Sequence, residues 1–229
     1  MTYYIGIDTE TSGLDPAKHG ICEIGAVATN DKGQVVDIYQ AYCRPTRDLL
    51  VTSRDHSYCT AVLDPNALEV NGLTRRFIEN QAPDFMVMPT FAEWLKGFTV
   101  KADSKNGTDE VRKVFCNAPF DLGFLNALAR RAGCFEDFEQ GSYRCIDLWS
   151  IGHAVLPNAP VLSLNKTCET LGIENRVAHS AVSDALATVN GYHELMRRRK
   201  ALDYQDWIRR QVGPLNLSLG GFPGMRGAF

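Results

Sequence analysis

The stretch Ile5-Gly6-Ile7-Asp8-Thr9-Glu10-Thr11-Ser12-Gly13-Leu14 limits the possible folds more than any other segment of this 229-residue chain. It has the pattern of a strand running into a turn. Side chains alternate along a strand, so Ile5 and Ile7 face one way while Gly6, Asp8 and Glu10 face the other. One face is apolar and wants a core. The other ends in two carboxylates, and burying charges without a partner is costly. Two readings fit this stretch alone, a hard divalent cation on the acids or a solvent-exposed edge with scattered acids.

Two further strands follow at short spacing. Ile21–Ala28 and Val35–Tyr42 are joined by the turn Asn30-Asp31-Lys32-Gly33, and the three together suggest an antiparallel meander. Residues 46–68 lack clean periodicity and are expected to form a long loop. Asn71-Gly72-Leu73-Thr74 should turn into a short helix over 75–80. Pro89-Thr90 has the pattern of a helix start, with Thr90 as N-cap and Glu93 at capping-box spacing. The polar stretch 99–110 is expected to be an exposed loop.

Val114–Asn117 is expected to be a short strand, and Asp121 to open a helix that ends at Gly133. A strand over 143–146 and a helix over 148–156 come next. A Ser163-capped helix stopped by Gly172 and a long helix over 181–200 complete the pattern. Arg197–Lys200 at the end of the last helix suit the negative pole of its dipole. Residues 213–229 hold five glycines and two prolines and are expected to be a disordered tail.

The totals narrow the classes. The net charge of −3 gives no footprint of a tight, non-specific duplex binder, although an enzyme could still grip a strand end through bound cations. The seven cysteines include no C-x-x-C pair, which argues against a zinc site or disulfide framework and for a reducing, cytoplasmic setting. A signal peptide and a membrane span are not expected. Neither a phosphate-binding loop of the G-x-x-x-x-G-K-[ST] type nor a G-x-S-x-G elbow is present.

Further acids stand at element ends. Asn117-Ala118-Pro119-Phe120-Asp121 sets an Asp where a strand has stopped and a helix begins. His179-Ser180-Ala181-Val182-Ser183-Asp184 sets a His before a helix and an Asp one turn into it. Each piece alone is weak, since Asp at a helix start is usually a cap. In chain order Asp8, Glu10, Asp121, His179 and Asp184 resemble the site of the DEDD-type 3′–5′ exonucleases, in the DnaQ-like branch whose last motif carries a His. Members include the proofreading subunit of bacterial DNA polymerase III, ribonuclease T and oligoribonuclease. Glu23-Ile24-Gly25-Ala26-Val27 and the Asn71–Thr74 turn are supporting matches. The likeness runs from about Tyr3 to about Met196, and Ser12 departs from the usual Thr.

The resemblance implies an α/β fold, a ribonuclease H-like mixed sheet with helices on both faces. An exonuclease domain would occupy residues 1–212, with extended loops near 46–64 and 99–112. Its chemistry would be two-metal phosphodiester hydrolysis with Mg²⁺, or Mn²⁺ as a substitute, the ions roughly 4 Å apart. Asp8 would bridge both ions, Glu10 and Asp184 would hold the one carrying the attacking water, and Asp121 would support the second. His179 would take the water's proton, because histidine exchanges protons near neutral pH.

Thr9, Thr11, Gly13, Leu14, Asn117 and Phe120 would line the substrate, with Leu14 and Phe120 contacting terminal bases without reading their identity; Phe120 fits a core position equally well. His19, His56, His153 and His193 have no motif around them. Single-stranded DNA 3′ ends are the expected substrate and nucleoside 5′-monophosphates the product. An RNA-trimming enzyme of the same family, or a catalytically idle nucleic-acid-binding module, are the rival readings. Alternating leucines over 215–219 loosely resemble peptides that dock on a sliding clamp, so a clamp or a polymerase is a candidate partner.

Overall fold

The computed structural model describes residues 2–46, 61–102, 111–139, 145–156, 163–175 and 179–201. A five-stranded sheet runs in the order β3-β2-β1-β4-β5. Its strands are β1 (Tyr3–Thr11), β2 (Ile21–Thr29), β3 (Val35–Tyr42), β4 (Val111–Phe115) and β5 (Ile146–Asp147). The first three form the expected antiparallel meander, and β4 and β5 add in parallel on the other side of β1. The helices among the described residues are α1 (Pro65–Val70), α2 (Arg75–Glu79), α3 (Asp84–Ala102), α4 (Ala118–Arg131), α5 (Phe135–Glu139), α6 (Leu148–Val155), α7 (Leu164–Leu171) and α8 (Ala181–Ala201).

Both faces of the sheet are covered. Ile5, Ile7, Ile24, Ala26 and Phe115 pack against Met88, Phe91 and Leu95 of α3 and Phe124, Leu125 and Leu128 of α4. On the opposite face Val27 packs against Ala185 and Val189 of α8. This double cover explains why every residue of β2 is buried. The mixed sheet with helices on both faces is the ribonuclease H-like α/β arrangement expected above. By its contacts the chain divides after Leu195, and the described residues up to that point form one compact unit. The expected domain boundary at 212, the tail from 213 and the 215–219 leucines lie outside the described residues.

Two glycines set how closely α8 meets the sheet. A Cβ on Gly6 would sit 2.2 Å from the Ala185 carbonyl oxygen, and one on Gly25 would sit 2.2 Å from the Ala181 carbonyl carbon. Only backbone without a side chain allows this approach. It brings the first turns of α8, and Asp184 with them, down onto β1 and β2.

Several local expectations need correction. The helix expected to start at Pro89-Thr90 starts at Asp84, with Pro89 inside it. Asp84 is fully buried and accepts from Phe85 N at 2.9 Å, from Thr46 Oγ1 and from Arg131. That anchor, together with burial of Met88, extends the helix upstream of the proline. Thr90 does not cap; its hydroxyl donates back to the Val87 carbonyl at 2.8 Å.

The loop expected over 46–68 contains α1, whose N-cap Asp64 accepts from Asn66 N with Pro65 in the first turn; residues 47–60 lie outside the described ones. The expected loop over 99–110 is helical as far as Ala102. Strand β4 begins at Val111 rather than Val114, because Lys113 is buried and breaks the apolar pattern. Its Nζ donates to the Phe138 carbonyl at 2.7 Å and stands 4.4 Å from that ring's centroid. Burial pushes the Lys113 ammonium down to about 8. Helix α4 starts at Ala118, so Asp121 sits within its first turn rather than opening it.

Because the added methyl at Gly25 meets backbone, Gly25→Ala is expected to destabilise the fold by about 1–3 kcal/mol, the range for overpacking. Urea denaturation of the two proteins measures this, and equal midpoints would contradict the close-packing account.

Candidate active site

Asp8 and Glu10 come from the C-terminal part of β1, on the strand face that meets α8. Glu10 lies directly across from Glu23 of β2 in the antiparallel register. Asp121 arrives from α4, where Thr9 holds it twice. The Thr9 amide donates to Asp121 Oδ1 at 3.0 Å and the Thr9 hydroxyl to the same oxygen at 2.8 Å. Asp184 sits one turn into α8 and is 9% exposed. His179 is exposed, just before that helix, with its backbone in the left-handed region at φ 64°. Ligating atoms of Glu10, His179 and Asp184 all lie within 4.8 Å of one another.

The electrostatics follow from this crowding. Burial pushes Asp8 well above the usual carboxylate range, and Asp121, Glu10, Asp184 and Glu23 push it in the same direction. Burial, then Asp184, Glu23 and Asp121, raise Glu10 to about 8. Burial raises Asp121 to about 7 against the opposing hydrogen bonds from Thr9. Asp184 is raised by burial, partly offset by bonds from Asn175 and the His179 amide and by the His179 charge. Acids this close cannot all ionise near neutral pH unless a cation compensates them. Oxygen donors with one imidazole at ligand spacing suit a hard or borderline divalent ion.

The other sequence-predicted residues take varied places. Thr9 and Thr11 are buried with their hydroxyls engaged inside the protein, the latter donating to the Gly13 carbonyl at 2.7 Å. Gly13 abuts His19, whose ring would lie 2.3 Å from an added Cβ. Leu14 is 82% exposed on the loop that follows β1. Asn117 is in the left-handed region at φ 65°, and its amide donates to Asp147 Oδ1 at 3.1 Å. Phe120 is half-buried and packs on Phe124, with ring centroids 5.2 Å apart. His193 packs edge-on against both the Tyr4 and Tyr192 rings, which also contact each other, His153 is exposed, and His56 lies outside the described residues.

Sequence reasoning gave no site role to two residues. Glu23, 2% exposed, faces Glu10, and its Oε2 accepts from Ala181 N at 3.3 Å, which ties the start of α8 to the sheet. An acid inside an otherwise apolar strand was the available signal. Asn175 donates to Asp184 Oδ1 at 2.6 Å, and no pattern in the sequence points to it.

The exonuclease family model (RNase T) matches residues 5–192. The chain belongs to this exonuclease family. Within it, the chain is 27% identical over 216 residues to the PolC-type DNA polymerase III of Bacillus subtilis, covering 93% of this chain and 13% of that protein. It is 27% identical over 201 residues to the epsilon subunit of DNA polymerase III of Rickettsia conorii, covering 85% of this chain and 74% of that one. Among solved structures, E. coli exonuclease I in its zinc-bound complex with single-stranded DNA superimposes with a TM-score of 0.67 at 18% identity. That match covers 88% of this chain and 42% of the other. The chain therefore spans only a small part of the PolC-type relatives and under half of exonuclease I. The likeness to exonuclease I bears on the fold, and the DnaQ-like group named from the motifs is the one these comparisons support.

The six cysteines that can be described are free, and Cys59 lies outside that set. No helix among the described residues is long and apolar enough to cross a membrane.

The raised carboxylates give a pH dependence with a definite sign. A carboxyl whose folded pKa exceeds its unfolded value stabilises the fold fully below the unfolded value, and that stability is lost as pH rises through the folded one. Metal-free protein should therefore lose melting temperature from about pH 5 to pH 8, the window between ordinary carboxylates and Glu10 at about 8. Glu10→Gln should flatten the slope, and added Mn²⁺ should restore most at the alkaline end. Melts in chelator across this window test it, and a flat or rising trend in the chelated wild type would count against mutual repulsion.

Proposed function

We propose that the chain is a divalent-metal-dependent 3′–5′ exonuclease that hydrolyses the terminal phosphodiester of single-stranded DNA and releases nucleoside 5′-monophosphates. The observation that carries this reading is the meeting of Glu10, His179 and Asp184 within 4.8 Å, with Asp121 close enough to help raise Glu10 and with Asp8 itself raised by burial and by Asp121, Glu10 and Asp184. The relatives named as DNA polymerase III, and the single-stranded DNA in the exonuclease I complex, support DNA as the substrate.

Asp8, Glu10 and Asp184 would hold the ions, with Asp121 supporting them from α4, and we assign two Mg²⁺ with Mn²⁺ as a substitute. When bound, such ions polarise the phosphodiester and stabilise both the attacking and the leaving oxygen. His179 accepts the proton of the attacking water at a ring nitrogen, so the water oxygen can form its bond to phosphorus as the bond to the leaving 3′ oxygen breaks. Its exposed position ahead of α8 lets the ring reach that water. Leu14, exposed on the loop after β1, offers an apolar contact to the terminal base that ignores base identity. The same loop is fixed from behind, through Ser12 Oγ donating to the Val62 carbonyl and Asn71 Nδ2 donating to the Thr11 carbonyl. Association with a polymerase is supported by the likeness to DNA polymerase III proteins, and association with a clamp only by the alternating leucines of the 215–219 sequence.

Degradation of matched single-stranded DNA and RNA oligonucleotides with Mg²⁺ tests the substrate. Release of deoxynucleoside monophosphates from the DNA, abolished by Asp8→Ala, is expected. A strong RNA preference would replace DNA with the RNA-trimming reading. No release with either metal would leave only a binding module.

His179→Ala is expected to cut kcat by about 10²–10⁴-fold, the usual contribution of a general base, while Mn²⁺ affinity is largely kept. Parallel loss of both would make His179 a ligand instead of a base.

A further inference from the structure

We propose that Asn175 is a positioning residue for Asp184, a role that rests on the metal-dependent reading above. Its Nδ2 donates to Asp184 Oδ1 at 2.6 Å, while the other carboxylate oxygen, Oδ2, accepts from the His179 amide at 3.2 Å. Each oxygen of Asp184 thus takes one hydrogen, Oδ1 from Asn175 and Oδ2 from His179. A carboxylate oxygen has two lone-pair sites, so one on each remains for a cation. The two bonds fix the carboxylate's plane and tie it to the backbone of His179.

The orientation of the Asn175 amide is set in turn. Its Oδ1 accepts from Ser183 Oγ at 2.9 Å, and its Nδ2 stands 3.4 Å from Asn165 Oδ1 on α7. Two acceptors, Asp184 Oδ1 and Asn165 Oδ1, and one hydroxyl donor, Ser183, leave a single sensible placement, with the NH₂ toward the carboxylate. The residue type also matters. A lysine or arginine here would satisfy Asp184 but would set a positive charge beside an ion. A neutral amide steadies the negative charge and leaves it available to the metal. Outer partners that orient metal ligands in this way typically contribute 10- to 100-fold to affinity or activity.

The test measures Mn²⁺ binding to the full chain by calorimetry without substrate, alongside nucleotide release and the melting temperature in chelator. N175A is expected to weaken Mn²⁺ binding by about 10- to 100-fold and to lower kcat with little change in KM for the oligonucleotide. Its metal-free melting temperature should stay near that of the wild type. S183A, which frees the amide to rotate but keeps the donor, should shift affinity in the same direction by less. N175D matches the shape but replaces the donor with a like charge, and should bind Mn²⁺ no better than N175A. Unchanged Mn²⁺ affinity in both N175A and S183A overturns the proposal, as does a loss of affinity that merely follows a fall in melting temperature. A wild type that binds Mn²⁺ but releases no nucleotide, with N175A still weakened, would remove the nuclease reading and leave the positioning role standing.

Discussion

Mutual repulsion among buried carboxylates is the constraint that the rest of this fold has to meet. Glu10 and Glu23 are direct cross-strand neighbours, an arrangement that destabilises a sheet when both carry charge. Asp8, Asp121 and Asp184 add to the same field. Nothing about such a cluster favours folding by itself, so the framework must hold it against its own charge. The hydrophobic faces do so. Ile5 and Ile7 lock β1 onto the α3 and α4 side, while Val27, Ala185 and Val189 clamp α8 onto the other. The alternation that buries Ile5 and Ile7 is the same alternation that presents Asp8 and Glu10 to α8.

Fine positioning is achieved by polar bonds that run between elements. Thr9 is on the strand beside both acids, yet its hydroxyl and amide reach Asp121 on α4. Glu23 spans from β2 to the first amide of α8. Asp147 receives the amides of Asn117 and Ala118 at 3.1 and 3.2 Å and so fixes the turn that delivers Asp121. Asn117 and His179 are the non-glycine residues with positive φ among the described residues. That conformation is uncommon for such residues and tends to persist where surrounding structure enforces it, often at functional sites. Here both precede the helices that bring in Asp121 and Asp184.

The meander and the placement of Asp8, Glu10, His179 and Asp184 were legible in the sequence because strand alternation, turn residues and helix caps are local signals, whereas Asp121 lies inside the first turn of α4 rather than at its start. Ser163 and Gly172 bound α7 as their chemistry suggests, with Gly172 in the left-handed region at φ 72°. What escaped was decided at a distance. Lys113 hid the first half of β4, since a lysine in a core strand makes sense only once the Phe138 carbonyl is there to receive it. Asp84 started α3 early because Thr46 and Arg131, remote in sequence, converge on its carboxylate. Helix α1 was signalled by Asp64-Pro65, a cap followed by proline at the first helical position, but the aperiodic residues around it masked the cue. Glu23 and Asn175 were missed because their roles exist only after β1, β2 and α8 have met.

The two glycines tie these levels together. Gly6 and Gly25 belong to the same sheet face as the acids, Gly25 standing opposite Asp8 in the ladder. Any side chain there would lift the start of α8 off the sheet, moving Asp184 away from Glu10 and Ala181 N away from Glu23. The site therefore depends on missing side chains as much as on charged ones. Close backbone contact sets how near the carboxylates come, nearness sets their repulsion, and that repulsion creates the demand for a cation. Reactivity thus traces back to a steric fact about β1 and β2, while the exposed Leu14 loop is held separately, by bonds to Val62 and Asn71.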